Sequence, residues 1–257
     1  MLVLGLAALL AAPAGATSFD HSALDGLLRR HVRDGLVDYD AFARSGEFRD
    51  YLGRLAGASV EEWPEAERLA FWINVYNAYT IEQVNAHGER DSIRNINKGL
   101  GPLPGKGPWS EKMVRAAGRT LTLDEVEHDV VRKRFDEPRI HFALVCAALG
   151  CPPLRAEAYT GSRLEEQLED QAREFLGRSP EKNRVDVAER TVWVSPILVW
   201  YREDFGGTDE AIGRFLARYW PEGAERQLLR SGRFRLRETR YDWTLNSVEK
   251  GRPRSGE

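Results

Sequence analysis

Both cysteines of this 257-residue chain, Cys146 and Cys151, fall in the run RIHFALVCAALGCPP at 139–153, together with Arg139 and His141. A thiol beside an imidazole is the pairing of a cysteine nucleophile with its general base. Two thiols this close can instead close a disulfide, because Gly150 before the second and Pro152-Pro153 after it allow a tight turn. A free reactive thiol, simple buried packing and soft-metal ligation are the other options for the pair. The spacing is not the C-x-x-C of redox sites, and two cysteines with scattered histidines make no zinc framework, so no metal and no cofactor are expected.

Geometry limits the catalytic option. The apolar stretch 139–145 reads as a buried strand, in which Arg139 and His141 share a face and Cys146, at an odd offset from His141, looks the other way. A Cys146–His141 pair then requires the strand to end near Val145 and fold back. Alternatively the imidazole comes from His128, whose neighbour Glu127 would be the orienting acid. Asn77 could support an oxyanion or orient the imidazole, so the catalytic candidates are Cys146, His141, His128 and Asn77. The binding candidates are Trp72, Asn74, Tyr76 and Arg139. The first three are hydrogen-bonding groups on an otherwise apolar helix, where a buried amide without partners costs about 1–3 kcal/mol. Asn74 and Asn77, three apart, share a face and either tie loops to the helix or line a cleft.

The positioning elements follow from periodicity and breakers. Leu24, Leu27, Leu28 and Val32 have helical spacing over 19–32, with Gly35 placed to end the helix. A short strand or turn is expected at 37–39. Helices are then predicted over 42–55 and 63–85, the latter begun through Pro64 with Glu65 and Glu67 in its first turn and apolar nearly all round from Leu69 to Val84, hence buried on most sides. The Gly/Pro-rich 95–107 reads as a surface loop. A strand at 119–123, a helix over 124–135 capped by Thr122 or Asp124, and the cysteine segment as strand and turn come next. An amphipathic helix over 164–176, a hairpin of 185–187 with 191–194, segments 197–201 and 210–220, and a strand at 234–236 complete the pattern. The fold class is α+β, a helical N-terminal half whose buried central helix packs on a small, mostly antiparallel sheet.

Residues 1–16 are an apolar, small-residue run ending in Ala14-Gly15-Ala16, which predicts a signal peptide, although no Lys or Arg precedes its core. The run is shorter than the ~20 residues of a membrane span, and no cysteine follows it to accept a lipid. The expected organisation is a leader at 1–16, one domain at 17–249 and a disordered tail at 250–257. An exported, periplasmic or secreted monomer without a stable membrane span is expected. The hydrophobic fraction is 42% and the charged fraction 30% with a net charge of −3, a balance that argues against nucleic acid or an anionic membrane as principal partner. The arginines from Arg226 to Arg240 are interrupted by Glu238 and read as a solvated face.

The segments 71–78 (FWINVYNA), 123–132 (LDEVEHDVVR), 139–153 and 241–246 (YDWTLN) resemble, in this order, the DUF547 family, a domain of unknown function found in exported bacterial proteins and, joined to other domains, in eukaryotes. The resemblance implies a single domain from about Gly35 to Asn246 and supplies no catalytic residues. The order of central helix, histidine-bearing strand and further strand is also similar to papain-like and transglutaminase-like hydrolases, whose nucleophilic cysteine begins that helix; 63–85 contains neither Cys nor Ser. Two classes are therefore expected: a module binding a small molecule or a protein in a cleft between the Trp72–Asn77 helix and the Cys146–Cys151 turn, or a cysteine-dependent hydrolase or acyl-transferase using Cys146 with His128 or His141.

Overall fold

A computed structural model describes residues 17–98 and 107–250. The expected leader, residues 99–106 of the expected loop, and all but the first residue of the expected tail lie outside the described residues.

Helix α1 (Ser22–His31) turns its leucines inward and ends in extended backbone at Val32. Gly35 does not end this helix. With Asp34 it forms a left-handed two-residue turn (φ 52° and 78°) between β1 (Val32–Arg33) and β2 (Leu36–Val37). Asp-Gly suits such a turn because both residues need positive φ. A side chain at Gly35 would also meet Pro153 of the cysteine turn, since a Cβ there would lie 2.4 Å from Pro153 Cβ. The helix expected over 42–55 is two helices, α2 (Tyr39–Arg44) and α3 (Gly46–Leu55). They are separated at Ser45, whose hydroxyl accepts the Phe48 N–H and caps α3.

The central helix α4 (Glu65–Ala86) starts after Pro64, which supplies a fixed φ, with Glu65 and Glu67 in its first turn. Every residue from Leu69 to Ile81 is buried. It packs on α2, α3, the hairpin of β3 (Val114–Ala116) with β4 (Arg119–Leu121), and the helical turns at 125–131 and 161–163. Thr122 and Glu125 cap each other's backbone, Glu125 N–H to Thr122 Oγ1 at 3.0 Å and Thr122 N–H to Glu125 Oε2 at 2.8 Å, a reciprocal capping box. The helix so begun is wide-wound, a π-helix over Glu125–Val131, before α5 (Arg132–Arg134).

The expected strand at 139–145 is instead a short helix, α6 (Ile140–Ala143), followed by extended chain from Leu144. A short apolar run reads alike as buried helix or buried strand. Helix α7 (Leu164–Gly177) then leads to β5 (Arg184–Asp186), β6 (Thr191–Val194), α8 (Pro196–Trp200), a 3-10 turn over Arg202–Phe205, α9 (Asp209–Leu216), α10 (Ala224–Ser231) and β7 (Arg235–Glu238). In the three-stranded sheet β6 is central, antiparallel to β5 and parallel to β7. The protein is thus helix-rich with small sheets that are antiparallel except for the β6–β7 pair.

Two apolar clusters result. One surrounds α4 and takes in Tyr76, Leu144 and Cys151, and the other gathers Phe142, Phe175, Ile197, Phe205 and Ile212 under α7 and the three-stranded sheet. Tyr241 packs against both. Among the described residues no helix is long and apolar enough to cross a membrane.

Candidate functional site

Between the two clusters lies a cavity of about 200 Å³. Its floor is Cys146 and Cys151, joined in a disulfide with Cα atoms 6.2 Å apart. Cys146 N–H is also 3.0 Å from Cys151 Sγ, and the Tyr241 hydroxyl lies 3.1 Å from each sulfur. Tyr241 is brought there by the late segment 241–246, which runs antiparallel to the cysteine turn. Gly150 N–H donates to Asp242 O and Leu149 N–H to Thr244 O, both at 2.8 Å, and Ala148 bridges Leu245. Gly150 permits this approach, since a Cβ there would lie 2.8 Å from Asp242 N and 2.9 Å from Tyr241 Cδ1.

The mouth is aromatic. Trp243 is 4.5 Å from Tyr241 and 5.9 Å from Trp200 between ring centroids, and Trp109 contacts Trp243 at 6.2 Å. Trp200 is 50% exposed, one of two large apolar side chains left open to solvent among the described residues. Exposed aromatic surface at the edge of a cavity is a common mark of recognition.

The inner wall carries the polar groups. From the π-helix come buried Glu127 and half-buried His128, with Asp124 at the rim. Burial pushes the Tyr76 and Tyr201 phenols well above their ordinary pKa, and the Glu127 carboxylate that both hydroxyls meet pushes them further. Burial likewise raises Asp124, reinforced by Glu127 and opposed by His128.

His141 is stacked on Tyr201 with centroids 3.9 Å apart and bonds through Nε2 to Asp204 Oδ2 at 2.6 Å. Arg132 grips both oxygens of Asp204 at 2.7 and 2.8 Å and reaches His128 Nδ1 at 3.0 Å. His141 and Arg132 together hold the Asp204 carboxyl far below the usual carboxylate range. An imidazole oriented by a half-buried carboxylate is equipped to accept or hold a proton at its other nitrogen.

Of the residues expected at a site, Tyr76, His128, His141, Cys146 and Cys151 line this cavity. The others have separate employment. Asn77 ties the chain leaving α6, donating to Ala143 O and accepting from Val145 N–H, each at 2.9 Å. Asn74 does the same for Tyr159, with bonds of 2.8 and 2.9 Å. Trp72 is buried edge-on against Phe71. Arg139 binds Glu137 and Glu165, which raise its pKa. Asn77 is therefore not an oxyanion donor to this cavity, and the Cys146 sulfur, being bridged, is not a thiolate nucleophile in this state. The opposite-face argument for His141 and Cys146 also falls, because the chain turns at Leu144 instead of continuing a strand.

Asp204, Trp200, Tyr201, Trp109 and Arg132 were not singled out from the sequence, and Tyr241 and Trp243 were noted only within a motif. The signal available was clustering of aromatics at 200–201 and 241–243, which marks packing as readily as a site. Among the described residues no group of His, Cys, Asp and Glu is arranged to hold a metal ion.

Residues 60–176 match the family model described as "Protein of unknown function, DUF547". The match spans α4, the π-helix, the cysteine turn and nearly all of α7, and so contains the floor and inner wall of the cavity; the aromatic rim at 200–201 and 241–243 lies beyond it. No curated protein and no solved structure matches the chain.

Proposed function

We propose that this DUF547-containing protein is an exported ligand-binding module whose site is the cavity between Tyr76 of α4 and the Cys146–Cys151 turn. The observation that carries the reading is convergence. Four separate stretches, α4, the π-helix, the 200–204 turn and the 241–246 segment, send aromatic and polar side chains to one recess at the seam of two apolar clusters. Such a recess, apolar with few polar groups, is the usual form of a small-molecule site. A disulfide floor fits an oxidising compartment. Residues 17–249 are taken as one domain, a reading supported by the Tyr39 hydroxyl donating to Asn246 Oδ1 at 2.6 Å across almost the whole chain.

A ligand-observed NMR screen of small fragments tests this. Hits should compete for one site and weaken at least about tenfold, a loss of ~1.4 kcal/mol, in Trp200→Ala. A screen without hits, or hits indifferent to both Trp200→Ala and Trp243→Ala, would contradict the reading.

A second reading has one specific support, His141, bonded to Asp204 behind it, lining the same cavity as Cys146. On reduction by a dithiol, Cys146 would be a free thiol in a cavity that also presents an oriented imidazole, the two groups a cysteine-dependent hydrolase or acyl-transferase requires. Iodoacetamide treatment at neutral pH decides: fast, selective alkylation of Cys146 in the reduced protein supports it, and equal slow alkylation of both cysteines opposes it.

A further inference from the structure

We propose that the ligand of this cavity is an organic cation, a quaternary or substituted ammonium group on a small molecule; the proposal rests on the binding reading above and specifies its ligand class. The charged side chains among the lining residues are Asp124 and Glu127, and neither Lys nor Arg is among them. The Arg132 guanidinium, beside the lining residue Tyr201, is bonded to Asp204 and His128. Glu127 is only 6% exposed, and its partners are the phenol hydroxyls of Tyr76 and Tyr201. Beyond these hydroxyls Glu127 interacts with the Arg132 guanidinium only through space, so its carboxyl oxygens lie beside the cavity with no basic side chain bonded to them, a place where an entering cation gains most.

The rim supplies the complementary surface. Aromatic faces carry negative quadrupole potential and attract cations, and two of these rings already hold a guanidinium. The Arg94 guanidinium sits 4.9 Å from the Trp243 centroid and that of Arg132 5.1 Å from Tyr201. An anion would find no Lys or Arg in the lining, where the basic groups are the imidazoles of His128 and His141 beside the carboxylates of Asp124 and Glu127. No Asn, Gln, Ser or Thr lines the cavity, so a sugar would have to bond through the Tyr, Trp and His groups and the two carboxylates alone. The volume of about 200 Å³ is below the roughly 300–1,000 Å³ typical of sites for drug-sized ligands, which suits a single headgroup.

The test is calorimetric titration of the oxidised full chain with choline, with its uncharged isostere in which tert-butyl replaces trimethylammonium, and with N-acetylglucosamine. Choline should bind at least about tenfold more tightly than the isostere, and Glu127→Gln and Asp124→Asn should each weaken choline severalfold while leaving the isostere unchanged. Asp124 is exposed, so Asp124→Asn carries the test if Glu127→Gln fails to fold. Equal binding of the isostere, or preference for the sugar, overturns the cation assignment and leaves the cavity a binding site. No saturable binding of choline overturns the assignment as well, and the fragment screen then decides separately whether the cavity binds anything.

Discussion

The Asn77 carboxamide satisfies one backbone acceptor and one backbone donor of the chain that leads from α6 to Cys146. Asn77→Ala should therefore lower unfolding free energy by about 3 kcal/mol, since two buried backbone groups lose their partner. Denaturant titration measures this, and a loss below about 1 kcal/mol would show that water replaces the amide. His21 gives a pH signature. Burial pulls its imidazole from 6.5 down to about 4, where Nδ1 meets the Tyr51 hydroxyl at 2.7 Å. Between those values the unfolded chain takes up a proton that the folded chain refuses. Stability is thus full above about pH 6.5 and falls on acidification through that window, by on the order of 3 kcal/mol at pH 4. Replacing His21 with Gln should flatten that slope in melts recorded from pH 7 to 4. Of the candidates named from the sequence, Tyr76, His128, His141 and Cys146 line the cavity, and Asn74, Asn77, Trp72 and Arg139 do not. A helix buried all round has no polar stripe to orient it, so three-residue spacing says that Asn74 and Asn77 share a face without saying which face it is.

Elements explain why the cavity has the walls it has. The 241–246 segment lies against the cysteine turn only because Gly150 has no side chain. Gly150→Ala should push Tyr241 and Trp243 away, destabilise by about 2 kcal/mol through overpacking, and abolish the tryptophan response to ligand. An unaltered response would mean that the segment is not held by the turn. Reduction of the Cys146–Cys151 bridge, which closes a short loop, should cost about 2 kcal/mol in the chain-entropy view, read as a lower melting temperature in dithiothreitol. Helix boundaries set by caps were partly legible: Pro64 before α4 and Thr122, one of the two cap candidates, act as the sequence indicated, whereas the reciprocal bond from Glu125 was not read. The Ile140–Ala143 helix was not, because a four-residue run with three apolar residues carries no period. Nor was α10 (Ala224–Ser231), whose arginines and glutamate read as solvated surface; one buried leucine, Leu229, is too little for a pattern.

At the scale of the molecule, the α+β class with a helical first half and a buried central helix was readable, because long amphipathic or all-apolar stretches fix element type. The division of the interior into two apolar clusters was not, since it depends on contacts far apart in sequence, such as Tyr241 against both. That division creates the seam in which the cavity lies. The seven tryptophans divide in the same way: Trp109, Trp200 and Trp243 line the cavity, while Trp63, Trp72, Trp193 and Trp220 lie elsewhere. Indole N–H resonances in a proton–nitrogen correlation spectrum, followed during titration with a fragment hit or choline, therefore report directly on where a ligand sits. Selective shifts of Trp109, Trp200 and Trp243 are expected. Shifts confined to Trp63, Trp72, Trp193 or Trp220, or no shift at saturating ligand, would contradict a binding site at the disulfide-floored cavity.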